Sequence, residues 1–116
     1  MGSVKNSKEY LNYAPLKING LMTVKSNIKN MGNNAPIEEQ ANLTLENLSN
    51  LLQSSGSCLN NLLSTTVYLC DMKELDAFEK VWQEWFKDKK EPKRFIVESP
   101  NEIQNLKLEI ISTAAF

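Results

Sequence analysis

The sequence predicts an α+β fold in which a mixed β-sheet carries two helices on one of its faces. Three observations lead there. Ile37, Ala41, Leu45, Leu48 and Leu52 recur at helical spacing, and Leu75, Phe78, Trp82, Trp85 and Phe86 repeat the pattern as an aromatic stripe, so each helix has one apolar side. Between them, Leu63, Thr65, Val67 and Leu69 alternate with Ser64, Thr66, Tyr68 and Cys70, a β-branched run of period two. Ahead of the first helix, Asn19-Gly20 supplies the residue pair that tolerates positive φ at both central positions of a hairpin turn.

In chain order, residues 1–12 read as a flexible N-terminal arm and residues 13–116 as one domain. Tyr13 to Lys17 is an edge strand, because Pro15 cannot donate to a ladder. Leu21 to Ile28 is its hairpin partner, with Leu21, Thr23 and Lys25 alternating against Met22, Val24 and Ser26. A loop at Met31-Gly32-Asn33-Asn34 follows. Pro36 opens the first helix, Glu38 and Glu39 suit its dipole, and Gly56 ends it. The strand at 63–70 stops at Asp71, which forms an N-terminal capping pair with Glu74 for a helix from Met72 to about Lys87. Phe95 to Val97 starts the next strand, Pro100-Asn101 marks a turn, and Leu106 to Ser112 is the last strand. There Leu106, Leu108 and Ile110 face one way and Lys107, Glu109 and Ile111 the other.

Helices on one face leave the other in water. Met22, Val24, Tyr68, Phe95 and Val97, or their neighbours, are the residues expected there, and exposed apolar area of that kind marks an oligomer interface. A closed ring is the self-limiting way to cover it.

Composition narrows the function. A chain of 116 residues buries roughly 65% of its unfolded surface, enough for one modest core. The net charge of -1 and pI near 5.5 argue against a general nucleic-acid binder. The absence of histidine removes the commonest general base and metal ligand, and Cys58 and Cys70 lack metal-ligand spacing. They read as reduced thiols of an intracellular protein, cytoplasmic with mitochondria as the alternative. No apolar run is long enough to span a membrane, and Met1 to Glu9 lacks a signal-peptide core.

One arginine stands out, since every other basic residue is a lysine. Arg94 follows Pro92-Lys93 at the head of an apolar strand. Its planar guanidinium can grip a carboxylate or phosphate bidentately, which an ammonium cannot. Glu109, flanked by apolar residues inside a strand, belongs either to a wet face or to a polar pocket.

This arrangement resembles the YjgF/Rid family, the reactive-intermediate (imine/enamine) deaminases also known as endoribonuclease L-PSP. The resemblance runs from Tyr13 to Ser112. It is carried by Ile37-Glu38-Glu39-Gln40, by Ser64-Thr65-Thr66-Val67-Tyr68-Leu69-Cys70-Asp71-Met72, by Pro92-Lys93-Arg94 and by Leu108-Glu109-Ile110. It implies a chorismate-mutase-like fold, a homotrimer and a site in the cleft between subunits.

It also implies an activity: hydrolysis of 2-imino or 2-enamino acids, of the 2-iminobutanoate and 2-iminopropanoate type, to 2-keto acids and ammonia. Arg94 would hold the substrate carboxylate and Glu109 would place the attacking water. Tyr13, Ser26, Phe95 and Ile96 would line the cleft, with no metal and no cofactor. The departures from the family are specific. Lys25-Ser26-Asn27-Ile28 stands where Ser-Gly-Gln-Ile is usual, Phe95 and Ile96 stand where small residues usually follow the arginine, and Glu79 stands where the family often has Asn. The phenylalanine is expected to narrow or plug the pocket. A trimer that binds small carboxylates or partner proteins without turnover is the alternative, and a ribonuclease or translation inhibitor the third reading.

Overall fold

The computed structural model describes residues 15–27, 35–99 and 106–116. Strands β1 (Leu16–Ile18), β2 (Leu21–Ser26), β3 (Leu62–Leu69), β4 (Lys93–Glu98) and β5 (Leu108–Ala115) form one sheet in the order β1-β2-β5-β3-β4. All neighbours are antiparallel except β3 and β4, which run parallel. Helices α1 (Ile37–Ser54) and α2 (Leu75–Phe86) cover one face, giving the mixed α+β architecture expected. The N-terminal arm, Tyr13 and the loops at Met31 to Asn34 and at Pro100-Asn101 lie outside the described residues.

Local chemistry accounts for the element ends. Asn19 and Gly20 take φ of 51° and 82°, the left-handed pair that a tight hairpin requires, and Gly20 O accepts from Phe116 N at 3.0 Å. Pro36 caps α1 with extended geometry, and Glu38 and Glu39 occupy the first turn. The other end closes through Gly56 at φ 92°: Gly56 N donates to Gln53 O and Ser57 N to Leu52 O, a double bond pattern that satisfies the last carbonyls. Asp71 Oδ1 accepts from Lys73 N at 2.9 Å, and the Glu74 carboxylate pairs with Lys107 Nζ at 3.7 Å. The chain enters α2 through a 3₁₀ turn at Met72–Glu74.

The core lies between the helices and one face of the sheet. Ala41, Leu45, Leu48 and Leu52 from α1 and Phe78, Trp82 and Phe86 from α2 are buried against Met22, Val24, Val67, Leu69, Leu108 and Ile110. Each fully buried large side chain contributes about 1.5–3 kcal/mol over its exposed state. Trp82 and Phe86 stack with centroids 4.3 Å apart. A buried polar link ties α1 to β2: Ser26 Oγ donates to Thr44 O at 2.8 Å and accepts from Asn47 Nδ2 at 3.1 Å.

Two expectations about facing are corrected. Met22 and Val24 are 1% and 0% exposed, on the helix-covered face. They pair with Ala114 and Ser112, which belong to the same buried rows. The alternation of β2 was right, but the phase that meets the helices is the opposite one. In β3, a register irregularity between Leu62 and Ser64 inserts an extra residue, so Leu62 is buried and Leu63, expected inside, is 46% exposed. Tyr68, Phe95 and Val97 do lie on the uncovered face, joined by exposed Leu21 and Leu63.

Two substitutions test this description by chemical denaturation. A Cβ on Gly56 would meet nothing within 4 Å, so Gly56→Ala should destabilise through backbone strain alone, by about 1–2 kcal/mol. Ser26→Ala should cost about 1–3 kcal/mol by stranding its buried partners; no change would remove the hydroxyl from the packing of α1.

Candidate functional site

The strand alternation divides the expected site residues between the two faces of the sheet. One row across the strands runs Val24, Ser112, Thr65, Arg94, and Thr65 and Ser112 are buried and bonded through their hydroxyls at 2.9 Å. Arg94 therefore projects to the helix-covered side, at the edge strand β4. The next row, Lys25, Ile111, Thr66, Phe95, belongs to the open face. Glu109 sits beside Tyr68, which sits beside Val97, again on the open face.

Arg94 and Glu109 are thus on opposite faces of one protomer. Phe95, 53% exposed, is on the opposite face of β4 from Arg94. Ile96 shares the face of Arg94 and is partly buried against the core. Ser26 is on that face too, fully buried, with its hydroxyl engaged by α1. Tyr13 lies outside the described residues.

The surroundings of Arg94 are built by α2. Nη1 donates to Glu79 Oε1 at 2.9 Å and Nη2 to Glu79 Oε2 at 2.8 Å, a two-point pair with side chains 21% and 29% exposed. The guanidinium carbon lies 4.8 Å from the centroid of the Trp82 ring, within cation–π range. Trp82 is held in turn by its stack on Phe86 and by its indole N–H, which donates to Glu91 Oε1 at 3.3 Å. Glu79 and Trp82 are three residues apart, one turn of α2, which is why both reach the same guanidinium.

Glu109 has a different environment. Its Oε2 accepts from Asn27 Nδ2 at 2.6 Å and lies 3.4 Å from Lys25 Nζ. The carboxylate is 24% exposed and Asn27 is 1% exposed, so one oxygen is anchored in the protein while the group still meets solvent. Lys25, one of the departures from the family pattern, therefore faces the glutamate. Cys58 and Cys70 are free, and no group of three or more His, Cys, Asp or Glu residues suited to a metal occurs among the described residues.

Sequence reasoning missed Glu79, Trp82 and Asn27 as partners of the two chosen residues. Glu79 lies beside the aromatic face of α2, between Phe78 and Trp82, but its pairing with Arg94 is a tertiary contact that the local pattern does not name. Asn27 carried no signal either, since its contact depends on how the end of β2 lies beside β5.

Comparison with known proteins adds the family. The profile described as Endoribonuclease L-PSP matches residues 12–116. A RutC family protein of Pyrococcus horikoshii is 33% identical over 78 residues, 67% of this chain and 61% of its own length. The mitochondrial protein MMF1 of Saccharomyces cerevisiae is 31% identical over 75 residues, 61% of this chain and 52% of its own length. The chain thus matches between about half and three-fifths of these two relatives' lengths. Among solved structures, yeast Mmf1 superposes with a TM-score of 0.78 at 28% identity, covering 90% of this chain and 86% of that one. E. coli TdcF with bound serine gives 0.79 at 21% identity, covering 89% and 86%. With the fold, the profile and these relatives in agreement, the chain belongs to the endoribonuclease L-PSP family, the YjgF/RutC proteins.

Proposed function

We propose that this protein hydrolyses reactive 2-imino or 2-enamino acids to 2-keto acids and ammonia. The observation that carries the reading is the presentation of Arg94: both Nη atoms donate to one carboxylate, at 2.9 and 2.8 Å, which is the two-point contact a substrate acid group would need. An imine carbon is already electrophilic, so orientation and a placed water supply most of the catalysis. Arg94 orients the acid. Glu109, anchored by Asn27 and open on its other side, takes a proton from water as the water oxygen bonds to the imine carbon. That proton passes to the nitrogen to give a carbinolamine; its hydroxyl then loses the second proton to Glu109, which hands it to the departing nitrogen as the C–N bond breaks, so that a C=O bond forms and ammonia leaves. E. coli TdcF, a structural relative, is known with bound serine, a small 2-amino acid.

Because Arg94 and Glu109 point to opposite faces, a site using both takes them from different protomers. The β4 edge of one subunit would approach the open sheet face of the next, and a homotrimer closes that contact into a ring. The exposed Leu21, Leu63, Phe95 and Val97 on this face support such an interface. A second reading, a trimer that binds small carboxylates or partner proteins without turnover, is favoured by one observation: Glu79 already fills the Arg94 fork. The ribonuclease reading gains nothing from a chain of net charge -1 without histidine. The mitochondrial protein MMF1 of Saccharomyces cerevisiae fits the mitochondrial option for this chain.

Keto-acid and ammonia release from freshly generated 2-aminoacrylate tests the proposal. Arg94→Lys should lower kcat/KM by roughly ten- to a hundredfold through loss of the two-point grip. Glu109→Gln should lower kcat by about 10²–10⁴-fold. Rates equal to wild type in both variants would end the deaminase reading. Val97→Glu should yield monomers by light scattering and abolish turnover while Arg94 and Glu109 remain; an active monomer would refute the shared site.

A further inference from the structure

Arg94 does not wait empty for an acid. Its fork is met by a carboxylate of its own chain, that of Glu79. We propose that Glu79 is a specificity-determining residue of the Arg94 site, selecting zwitterionic 2-amino and 2-iminium acids over simple carboxylates and keto acids. The inference rests on the reading of Arg94 as a carboxylate clamp and adds the second half of the recognition.

The argument is one of charge and donors. Glu79 takes one N–H from each Nη of Arg94, and an entering carboxylate must share the same guanidinium through the N–H groups that remain. The Glu79 carboxylate then sits beside the ligand's anionic group, where the Arg94 and Glu79 side chains are only 21% and 29% exposed and water screens them incompletely. Arg94 cannot easily follow a ligand elsewhere, because the Trp82 ring lies beneath it at 4.8 Å and is itself fixed by Phe86 and Glu91. A keto acid brings only acceptors, so it places a like charge beside Glu79 with nothing to offset it. An ammonium or iminium group on the adjacent carbon brings N–H donors and a positive charge, which offset that repulsion and give Glu79 a second partner.

The pair then acts as a dipole matched to a zwitterion: guanidinium to carboxylate, carboxylate to nitrogen. Hydrolysis exchanges that nitrogen for a carbonyl oxygen, so the same residue that favours binding of the substrate disfavours retention of the product.

L-alanine and pyruvate share one carbon skeleton and differ only at C2, so they are the probes. Calorimetric or NMR titration of the full chain should show alanine bound more tightly than pyruvate in the wild type. Glu79→Gln should shift the pyruvate-to-alanine affinity ratio toward pyruvate by on the order of ten- to a hundredfold, the worth of one charge-assisted hydrogen bond. Glu79→Asp, which keeps the charge, should retain the preference for alanine. It also serves if the glutamine variant fails to give a native near-ultraviolet spectrum. An affinity ratio unchanged by Glu79→Gln, while Arg94→Lys still weakens both ligands, would overturn the role of Glu79 and leave the clamp standing. Binding insensitive to Arg94→Lys, or no binding of either probe to wild type and Glu79→Gln alike, would overturn the clamp and the selectivity together. Pyruvate binding gained only in Glu79→Gln would support the proposal.

Discussion

Side chains leave a β-strand alternately to its two sides, and one layer of helices can cover only one of them. Most of what this molecule does follows from that constraint. The rows containing Met22, Val24, Thr65, Val67, Leu108 and Ile110 are buried beneath α1 and α2 and supply the stability. The rows between them, with Lys25, Thr66, Tyr68, Phe95, Val97 and Glu109, face outward. The two residues with the strongest chemical character fall on different sides of this division. Arg94 is drawn into the helix layer and Glu109 is turned out of it.

The helix layer does more than fill volume around the arginine. Edge strand β4 delivers the guanidinium to the flank of α2, where Trp82 offers an aromatic face and Glu79 a matched pair of acceptors. The aromatic stripe of α2 is thus core and support at once: Phe78 and Phe86 are buried, while Trp82 between them touches a charged group. The buried Ser26–Thr44–Asn47 link does a comparable service on the same face, at β2, setting the position of α1 against the strand that leads to Asn27 and so to Glu109.

Much of this was legible in the residues. Helical periodicity located α1 and α2 to within a few positions, and period-two patterning located β3. Asn19-Gly20 and Gly56 named their own turns because only left-handed backbone fits there. The order of elements led to the sheet with one uncovered face. What period-two patterning cannot say is which phase meets the helices, since Leu21-Thr23-Lys25 and Met22-Val24-Ser26 differ only modestly in polarity. Nor does it show the extra residue that turns Leu63 outward. The position of Phe95 relative to Arg94 was deducible, because adjacent strand residues point apart. The contact of Arg94 with Glu79, by contrast, joins elements fifteen residues apart through tertiary packing, and no local rule supplies it.

Strand β4 pairs with β3 alone and forms the border of the sheet. Its outer line of amide and carbonyl groups is therefore a template onto which a foreign chain could add. The sequence guards that border: Pro92 precedes the strand, and exposed Lys93 and Glu98 stand at its ends. A proline and terminal charges discourage open-ended growth of β-structure while still tolerating one shaped neighbour. The margin of the sheet that carries the arginine is thereby kept fit for finite docking rather than fibre formation.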